Sequence, residues 1–400
     1  MPRLDLPASN SPSSESARLE TPATIAAAGL PPDLVVTAQA LTNSGGAERY
    51  LRDLVAGFHR LGMRPTLFVR KVDPALPEAA WVDVERINLR WVPRKLRGLA
   101  FAWLFKRRLS RRAAPYVFAV NHSGVADLAL CGGTHVGFVE STGRRPRPSD
   151  RWTFELERRT YRSARAILAH SQLMADELQR VYAVPAERIH VHYPPVDTTR
   201  FRPAGDAERI ALRRRFGLPE DRAVFVFSST SHERKGYALL EAFFENTPLP
   251  ICLVVAGRPV PRTSDTIRYV GYCKDIEDLF RAADFTVVAS VYEPFGLVGV
   301  ESVLCGTPLV IADNVGSAEA VTADAKIEFS RREPGSFAQA IDRALERMRG
   351  PAARIAEPAA SVIYDPGVDA HVAALCRLMS TPHAEPQATA PDYPAQARQE

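Results

Sequence analysis

Ser290-Val-Tyr-Glu-Pro-Phe-Gly-Leu-Val-Gly-Val-Glu301, continuing through Ser302-Val-Leu-Cys-Gly-Thr-Pro-Leu-Val-Ile-Ala312, is the stretch whose reading decides the fold of this chain. Two short apolar runs rich in β-branched residues, Phe285-Thr-Val-Val-Ala289 and Pro308-Leu-Val-Ile-Ala312, predict buried strands. The residues between them predict a short helix, opened by Gly296 and closed by Gly306. The loop entering it presents unpaired backbone N–H groups at a helix N-terminus, which suits a phosphate or another anion. Two carboxylates, Glu293 in the loop and Glu301 in the helix, would repel that anion unless they bind something else. Sugar or ribose hydroxyls suit such acceptors.

Upstream, Ala223-Val-Phe-Val-Phe227 reads as a strand, Ser228 to Gly236 as a polar loop, and Tyr237-Ala-Leu-Leu-Glu-Ala-Phe-Phe244 as a helix. Strands at 251–256 and 267–271 and a helix at 276–283 follow. This βα alternation predicts a parallel, Rossmann-like sheet. Arg234 and Lys235 stand between strand end and helix, where a diphosphate would meet an ammonium, a guanidinium and a helix N-terminus together. The other reading is a solvated basic loop. Later helices are expected around 336–348 and 368–378, the last packing back onto the first half.

The first half repeats the rhythm. Asp33-Leu-Val-Val-Thr-Ala38 predicts a buried strand, and a helix carrying Leu51, Leu54, Val55, Phe58 and Leu61 on one face follows the loop containing Gly45 and Gly46. That pair lacks the dinucleotide-binding spacing of glycines. It is either a tight turn needing positive φ or a place where missing side chains let a ligand approach the backbone. Further strands are expected at 66–70, 116–120, 134–139 and 166–169, with helices near 151–162 and along the face of Leu173, Met174, Leu178 and Val181. His122 lies just past a strand's carboxyl end, where ligands gather in open α/β sheets. It either contacts a sugar hydroxyl or acceptor, or bonds the loop backbone.

Residues 90–112 mix arginine, lysine, tryptophan and phenylalanine. Such interleaving suits a helix lying on an anionic membrane surface, and equally a helix packed on the sheet with a solvated basic face. Nucleic-acid binding ranks last, because no nucleic-acid motif accompanies it.

The 400 residues with 46% hydrophobic content predict two domains: 31–193, a Pro-rich connector at 194–203, and 204–365. A helix at 366–381 returns toward the first domain, and tails at 1–30 and 382–400 are expected to be disordered. Five cysteines without metal-ligand spacing read as buried thiols in a reducing cytoplasm. No run reaches the roughly 18 apolar residues of a membrane span, and residues 1–30 lack a signal-peptide pattern. The chain is expected to be soluble, or at most peripheral on the inner face of a membrane. The net charge of +5 suits anionic substrates.

Glu293-Pro-Phe-Gly-Leu-Val-Gly-Val-Glu301 resembles the E-x7-E motif of retaining glycosyltransferases of family 4. In the same order, Gly45-Gly46-Ala-Glu48 resembles the family's glycine loop, His170-Ser171 the segment before the connector, Pro195-Val-Asp-Thr-Thr-Arg-Phe201 the connector, and Arg234-Lys235-Gly236 the lysine–glycine loop. The resemblance implies an α/β GT-B fold, two Rossmann-like domains facing across a cleft. It implies that Glu301 binds ribose hydroxyls and Glu293 the donor sugar. Phe295, Gly296, Leu297 and Val298 would offer backbone N–H groups, Arg234 and Lys235 would neutralise the leaving diphosphate, and Tyr272 would hold the base. Thr230 stands where the family often has an arginine, a pattern similar to lipopolysaccharide-core enzymes, and Pro194-Pro195 replaces an asparagine–glycine. No DxD motif is present, in agreement with a metal-independent enzyme. The implied partners are a nucleotide-sugar donor and a glycan or glycolipid acceptor, with no nucleic acid. A GT-B nucleotide-sugar epimerase and a non-catalytic nucleotide-sugar-binding protein are the alternatives.

Overall fold

The computed structural model describes residues 30–350 and 353–381, so the disorder expected of 1–30 and 382–400 lies outside the described residues, Leu30 apart. In the first domain the order is β1 (Leu34–Thr37), β2 (Ala40–Leu41), α1 (Gly46–Arg60), β3 (Thr66–Val69), β4 (Lys71–Val72), β5 (Asp83–Arg86), α2 (Arg97–Leu109), β6 (Tyr116–Ala119), β7 (Leu128–Cys131), α3 (His135–Ser141), α4 (Pro148–Ser163), β8 (Ala166–Ala169), α5 (Gln172–Tyr182) and β9 (Ile189–Val191). The second contains α6 (Asp206–Arg215), β10 (Ala223–Ser229), α7 (His232–Lys235), α8 (Tyr237–Asn246), β11 (Ile251–Gly257), β12 (Ile267–Tyr269), α9 (Ile276–Ala282), β13 (Phe285–Val288), α10 (Leu297–Leu304), β14 (Leu309–Ala312), β15 (Lys326–Phe329) and α11 (Ser336–Met348). The chain then returns through α12 (Val368–Ser380).

Both main sheets are parallel. The first runs β5-β3-β1-β6-β7-β8-β9 and the second β12-β11-β10-β13-β14-β15. Strands β1, β3, β7, β8, β13 and β14 are buried along their whole length, as parallel strands covered on both faces must be. Each sheet reverses its winding next to its first strand, between β1 and β6 and between β10 and β13. Outside the carboxyl ends of the strands, such reversals open a crevice where ligands bind. This architecture is the one expected, two Rossmann-like domains in the GT-B arrangement.

Two expectations are corrected. Residues 134–139 are not a strand: β7 is formed earlier, by Leu128–Cys131, and His135–Ser141 is the helix α3. Thr134 caps α3, its hydroxyl accepting from the Gly137 N–H at 2.9 Å, so the apolar residues of this run, with Val139 buried, line a helix face. The paired glycines do not make a positive-φ turn either. Gly45 has φ −61° and ψ −172°, and Gly46 is the first residue of α1. A Cβ on Gly46 would meet Leu297 of the other domain only at ordinary van der Waals distance, 4.0 Å, and one on Gly45 would lie 3.3 Å from Glu48 Oε2.

The connector is held in place by the returning chain. Val196 N–H donates to Pro366 O at 2.8 Å and the Tyr364 hydroxyl to Pro194 O at 2.9 Å. Helix α12 then joins the first domain's core, burying Val372, Leu375, Cys376 and Met379 against α1. Gly57 makes this approach possible, for a Cβ there would lie 2.5 Å from Val372. Within 90–112, Phe101 and Phe105 of α2 are buried, whereas Trp91 is 96% and Trp103 61% exposed.

Candidate functional site

The second domain's half of the site grows from the ends of β10 and β13. Gly236, just past α7, has φ +79°, and any Cβ there would collide with the Ala289 carbonyl, so glycine alone lets the β10 loop lie against the β13 loop. The Val291 N–H then donates to Arg234 O at 2.8 Å, stitching the two loops together. This brings Arg234 and Lys235 onto Glu293. Lys235 Nζ pairs with Glu293 Oε2, Ser290 Oγ donates to the same oxygen at 3.0 Å, and Arg234 Nη1 lies 3.4 Å away. Glu293 is only 7% exposed. Burial alone would raise its pKa, but Lys235 and Arg234 outweigh it and hold the carboxyl below its ordinary range. Gly296, at φ +84°, caps α10, and a Cβ there would lie 2.8 Å from Glu293 Cγ.

Glu301, buried on α10, has a partner from across the cleft. Arg49 Nη2 lies 2.7 Å from Glu301 Oε1, yet neither atom has a hydrogen-bond partner of acceptable geometry. The contact is one of charge without alignment, which a better-placed donor can displace. Arg49 also lies over the Phe201 ring of the connector, 5.4 Å from its centroid.

The first domain's half grows from the ends of β1 and β6. Gly45, Gly46 and Arg49 follow β1, and His122 follows β6. His122 Nε2 lies 3.1 Å from Glu157, a carboxylate 1% exposed on α4 that accepts from the His135 N–H at 2.8 Å and from the Tyr182 hydroxyl. The other ring nitrogen, Nδ1, is buried and has no hydrogen-bond partner.

Between the halves lies a cavity of about 630 Å3. Of the residues singled out in the sequence, Gly45, Gly46, His122, Arg234, Lys235, Glu293, Phe295, Gly296, Leu297, Val298 and Glu301 all line it. Tyr272 does not line it and is 76% exposed.

The cavity is closed at one side by the loop that carries Glu293. The Tyr292 hydroxyl accepts from the Thr134 N–H at 2.9 Å and donates to Glu177 at 2.8 Å, while Ser171 Oγ donates to Pro294 O at 2.6 Å. Glu319 accepts from the Gln172 N–H at the start of α5, at 2.5 Å, where the helix dipole favours a carboxylate. The first and second domains are thus fastened through the residues flanking Glu293.

Sequence reasoning passed over Arg49, Glu157 and Tyr292. Arg49 did leave a signal, because a cation in the first turn of a helix opposes the macrodipole and needs a partner elsewhere. Glu157 and Tyr292 read only as members of a helix and a loop.

Chemically, the cleft sets two cations and a helix N-terminus beside the buried Glu293, and faces them with the His122 imidazole and the Arg49 guanidinium. An anion fits at Lys235 and α10, and hydroxyl groups fit at the carboxylates.

Comparison with known proteins gives the family and the fold. Residues 44–200 match the model of Glycosyltransferase Family 4, and residues 208–361 that of Glycosyl transferases group 1. The chain is 46% identical over 348 residues to a protein of Burkholderia thailandensis described as a probable transglycosylase, covering 86% of this chain and 95% of that one. The crystal structure of WaaG, a glycosyltransferase involved in lipopolysaccharide biosynthesis, superposes with a TM-score of 0.71 at 16% identity, covering 86% of this chain and 99% of WaaG. Anabaena HepE in complex with UDP and glucose follows with a TM-score of 0.67 at 18% identity, covering 87% and 99%.

Proposed function

As this chain belongs to the family 4 glycosyltransferases of GT-B fold, we propose that it moves a hexose or similar sugar, with retention of anomeric configuration, from a nucleotide sugar to a lipid-linked or lipopolysaccharide-type glycan. One observation carries the reading: Arg234, Lys235 and Glu293 converge at the reversal of the second sheet and face His122 and Arg49 at the reversal of the first. The UDP and glucose named with Anabaena HepE support a nucleotide-sugar donor.

In this reading the diphosphate lies against Lys235, Arg234 and the N-terminus of α10. The bond from the anomeric carbon to the phosphate oxygen breaks, and its electron pair leaves on the diphosphate. The sugar becomes oxocarbenium-like, so fixed cations at the departing oxygen act on the transition state without reorganising. Glu301 binds the ribose hydroxyls, taking them in place of Arg49, and Glu293 accepts from the sugar. The acceptor hydroxyl enters from the side of Gly45, Gly46 and His122; its oxygen bonds the anomeric carbon on the face the diphosphate leaves, and its proton passes to the departing diphosphate oxygen. No divalent ion is part of this proposal; Arg234 and Lys235 supply the positive charge. Tyr272 closes on the base only if its loop moves inward. The exposed Trp91 and Trp103 of the 90–112 segment, with Arg107 over the Trp103 ring, rest on an anionic membrane face, bringing a lipid-linked acceptor to the cleft.

Thermal-shift measurements against UDP, GDP, ADP and their sugars test the donor site, since a ligand of the native state raises stability by its affinity. One nucleotide is expected to raise the melting temperature, with most of the shift lost in Glu301→Ala. No shift with any of them contradicts the reading.

A further inference from the structure

A second cavity, about 260 Å3, opens on the first domain away from the cleft's centre, and its lining includes Arg70, Lys71, Arg86, Asn88, Arg90 and Arg97. Five of these six are cationic, and the lining contains no carboxylate. Three nearby arginines do have carboxylate partners: Arg64 pairs with Asp83, Arg108 with Glu85 and Arg112 with Asp33. Among the described residues, none of the five enters an ion pair with Asp or Glu. Arg70 donates to Gln39 Oε1 at 2.8 Å and Arg97 to Val92 O at 2.8 Å, so neutral groups orient these two guanidinium groups without cancelling their charge. Burial and the charge of Arg97 together hold the Arg70 guanidinium below its ordinary pKa, the mark of cations crowded without a counter-ion.

The position is as telling as the charge. Arg70 and Lys71 follow β3 directly, Arg86 is the last residue of β5, and the ladder sets Val69 beside Arg86. The cavity therefore sits at the carboxyl ends of the strands, on the rim that also carries Gly45, Gly46 and His122. Strands are spaced about 4.8 Å apart, so β5 lies roughly 10 Å from β1 and 15 Å from β6 along that rim. A ligand anchored there extends toward the cleft.

We propose that this cavity binds a phosphate or diphosphate group of the acceptor, and so makes the acceptor a phosphorylated molecule. The inference rests on the reading of the cleft as a donor site with the acceptor on the first domain. Planar guanidinium groups from several elements suit a multiply charged phosphate, which accepts several charge-assisted hydrogen bonds at once. A phospholipid head group offers the same chemistry, and the test separates the two.

Inorganic pyrophosphate binding is measured by calorimetry on the whole protein, on Lys235→Ala and on Arg86→Gln/Arg90→Gln. The last pair is exposed and makes no ion pair, so the fold is retained. Two sites are expected in the wild type, one lost in Lys235→Ala and the other weakened at least 10-fold in Arg86→Gln/Arg90→Gln. A single site abolished by Lys235→Ala overturns the proposal, whereas loss of the donor reading shows as persistence of both sites in that variant. In a parallel arm, phosphatidylglycerol vesicles are sedimented with protein and pyrophosphate. Vesicle binding that vanishes in Arg86→Gln/Arg90→Gln but is not displaced by pyrophosphate assigns the patch to head groups, and likewise overturns the acceptor assignment.

Discussion

Replacing Lys235 by alanine separates what the side chain does for stability from what it does for transfer. Its Nζ pairs with Glu293, and the two side chains are 13% and 10% exposed. Removing one member of a buried ion pair costs about 3–5 kcal/mol, because the other charge is stranded. Here Arg234 remains 3.4 Å from the stranded carboxylate and Ser290 still donates to it, which places the cost at the low end, about 3 kcal/mol. Adding Glu293→Gln removes the stranded charge, so the double variant is expected to return to within about 1 kcal/mol of the wild type in urea unfolding. Catalysis follows a different rule. A missing cation at the developing charge of the leaving group lowers turnover by roughly 100- to 1000-fold, and neutralising Glu293 does not replace it. Stability thus recovers in the double variant while nucleoside diphosphate release stays at least about 100-fold down. Recovery of both, or an unchanged unfolding curve for Lys235→Ala alone, would contradict these two roles of Lys235.

Other residues give separate tests. Arg49→Ala leaves Glu301 buried without its opposite charge, so the empty variant is expected to melt lower than the wild type and to gain more on nucleotide binding; equal ligand shifts contradict the idea that ribose and Arg49 share Glu301. Tyr292→Phe strands the Thr134 N–H and removes a donor from Glu177, whose carboxyl burial already pushes up, which costs about 1–3 kcal/mol and opens the empty protein; an unchanged unfolding curve and scattering radius argue against the fastening role. His170 and His371 are buried near Tyr50 and His192, with His170 lowered to about 3 and His371 well below its usual value, both chiefly by burial. Their folded pKa values lie below the unfolded 6.5, so the unfolded chain takes up protons first, and their contribution is intact above pH 6.5 and falls as pH drops toward about 3 for His170. From pH 7.5 to 5.5 the pair is expected to cost about 3 kcal/mol, and His371→Gln should remove about half of that loss; an identical pH dependence in the variant contradicts it.

The parts of this molecule that follow from short-range pattern were legible in the sequence. The strand runs at 223–227, 251–256 and 285–289 are buried on both sides, so their composition alone announces them, and the glycines at 296 and 306 mark the ends of α10. Helix α3 was misread because it spans only seven residues, too few to display a helical period, and because its Val and Phe content also suits a strand. The Gly45–Gly46 pair could be located but not interpreted, since neither glycine takes a positive φ and residues that line the cleft with them, Leu297 among them, belong to the other domain. Arg49 and Tyr292 act on partners remote in sequence, which no local window reveals. The basic cavity joins residues after β3 and β5 with the start of α2, and a linear reading of 90–112 sees only its second half.

The central claim is that the cleft passes a sugar from a nucleotide to a glycan acceptor. Its most direct measurement incubates the protein with the nucleotide sugar it binds and a lipid-glycan extract, and quantifies transferred sugar, released nucleoside diphosphate and the anomeric configuration of the product. One nucleoside diphosphate is expected to be released per sugar transferred, only when acceptor is present, with the donor's configuration kept. Epimerised or hydrolysed sugar without transfer, or nucleotide binding with no turnover on any acceptor extract, would contradict it.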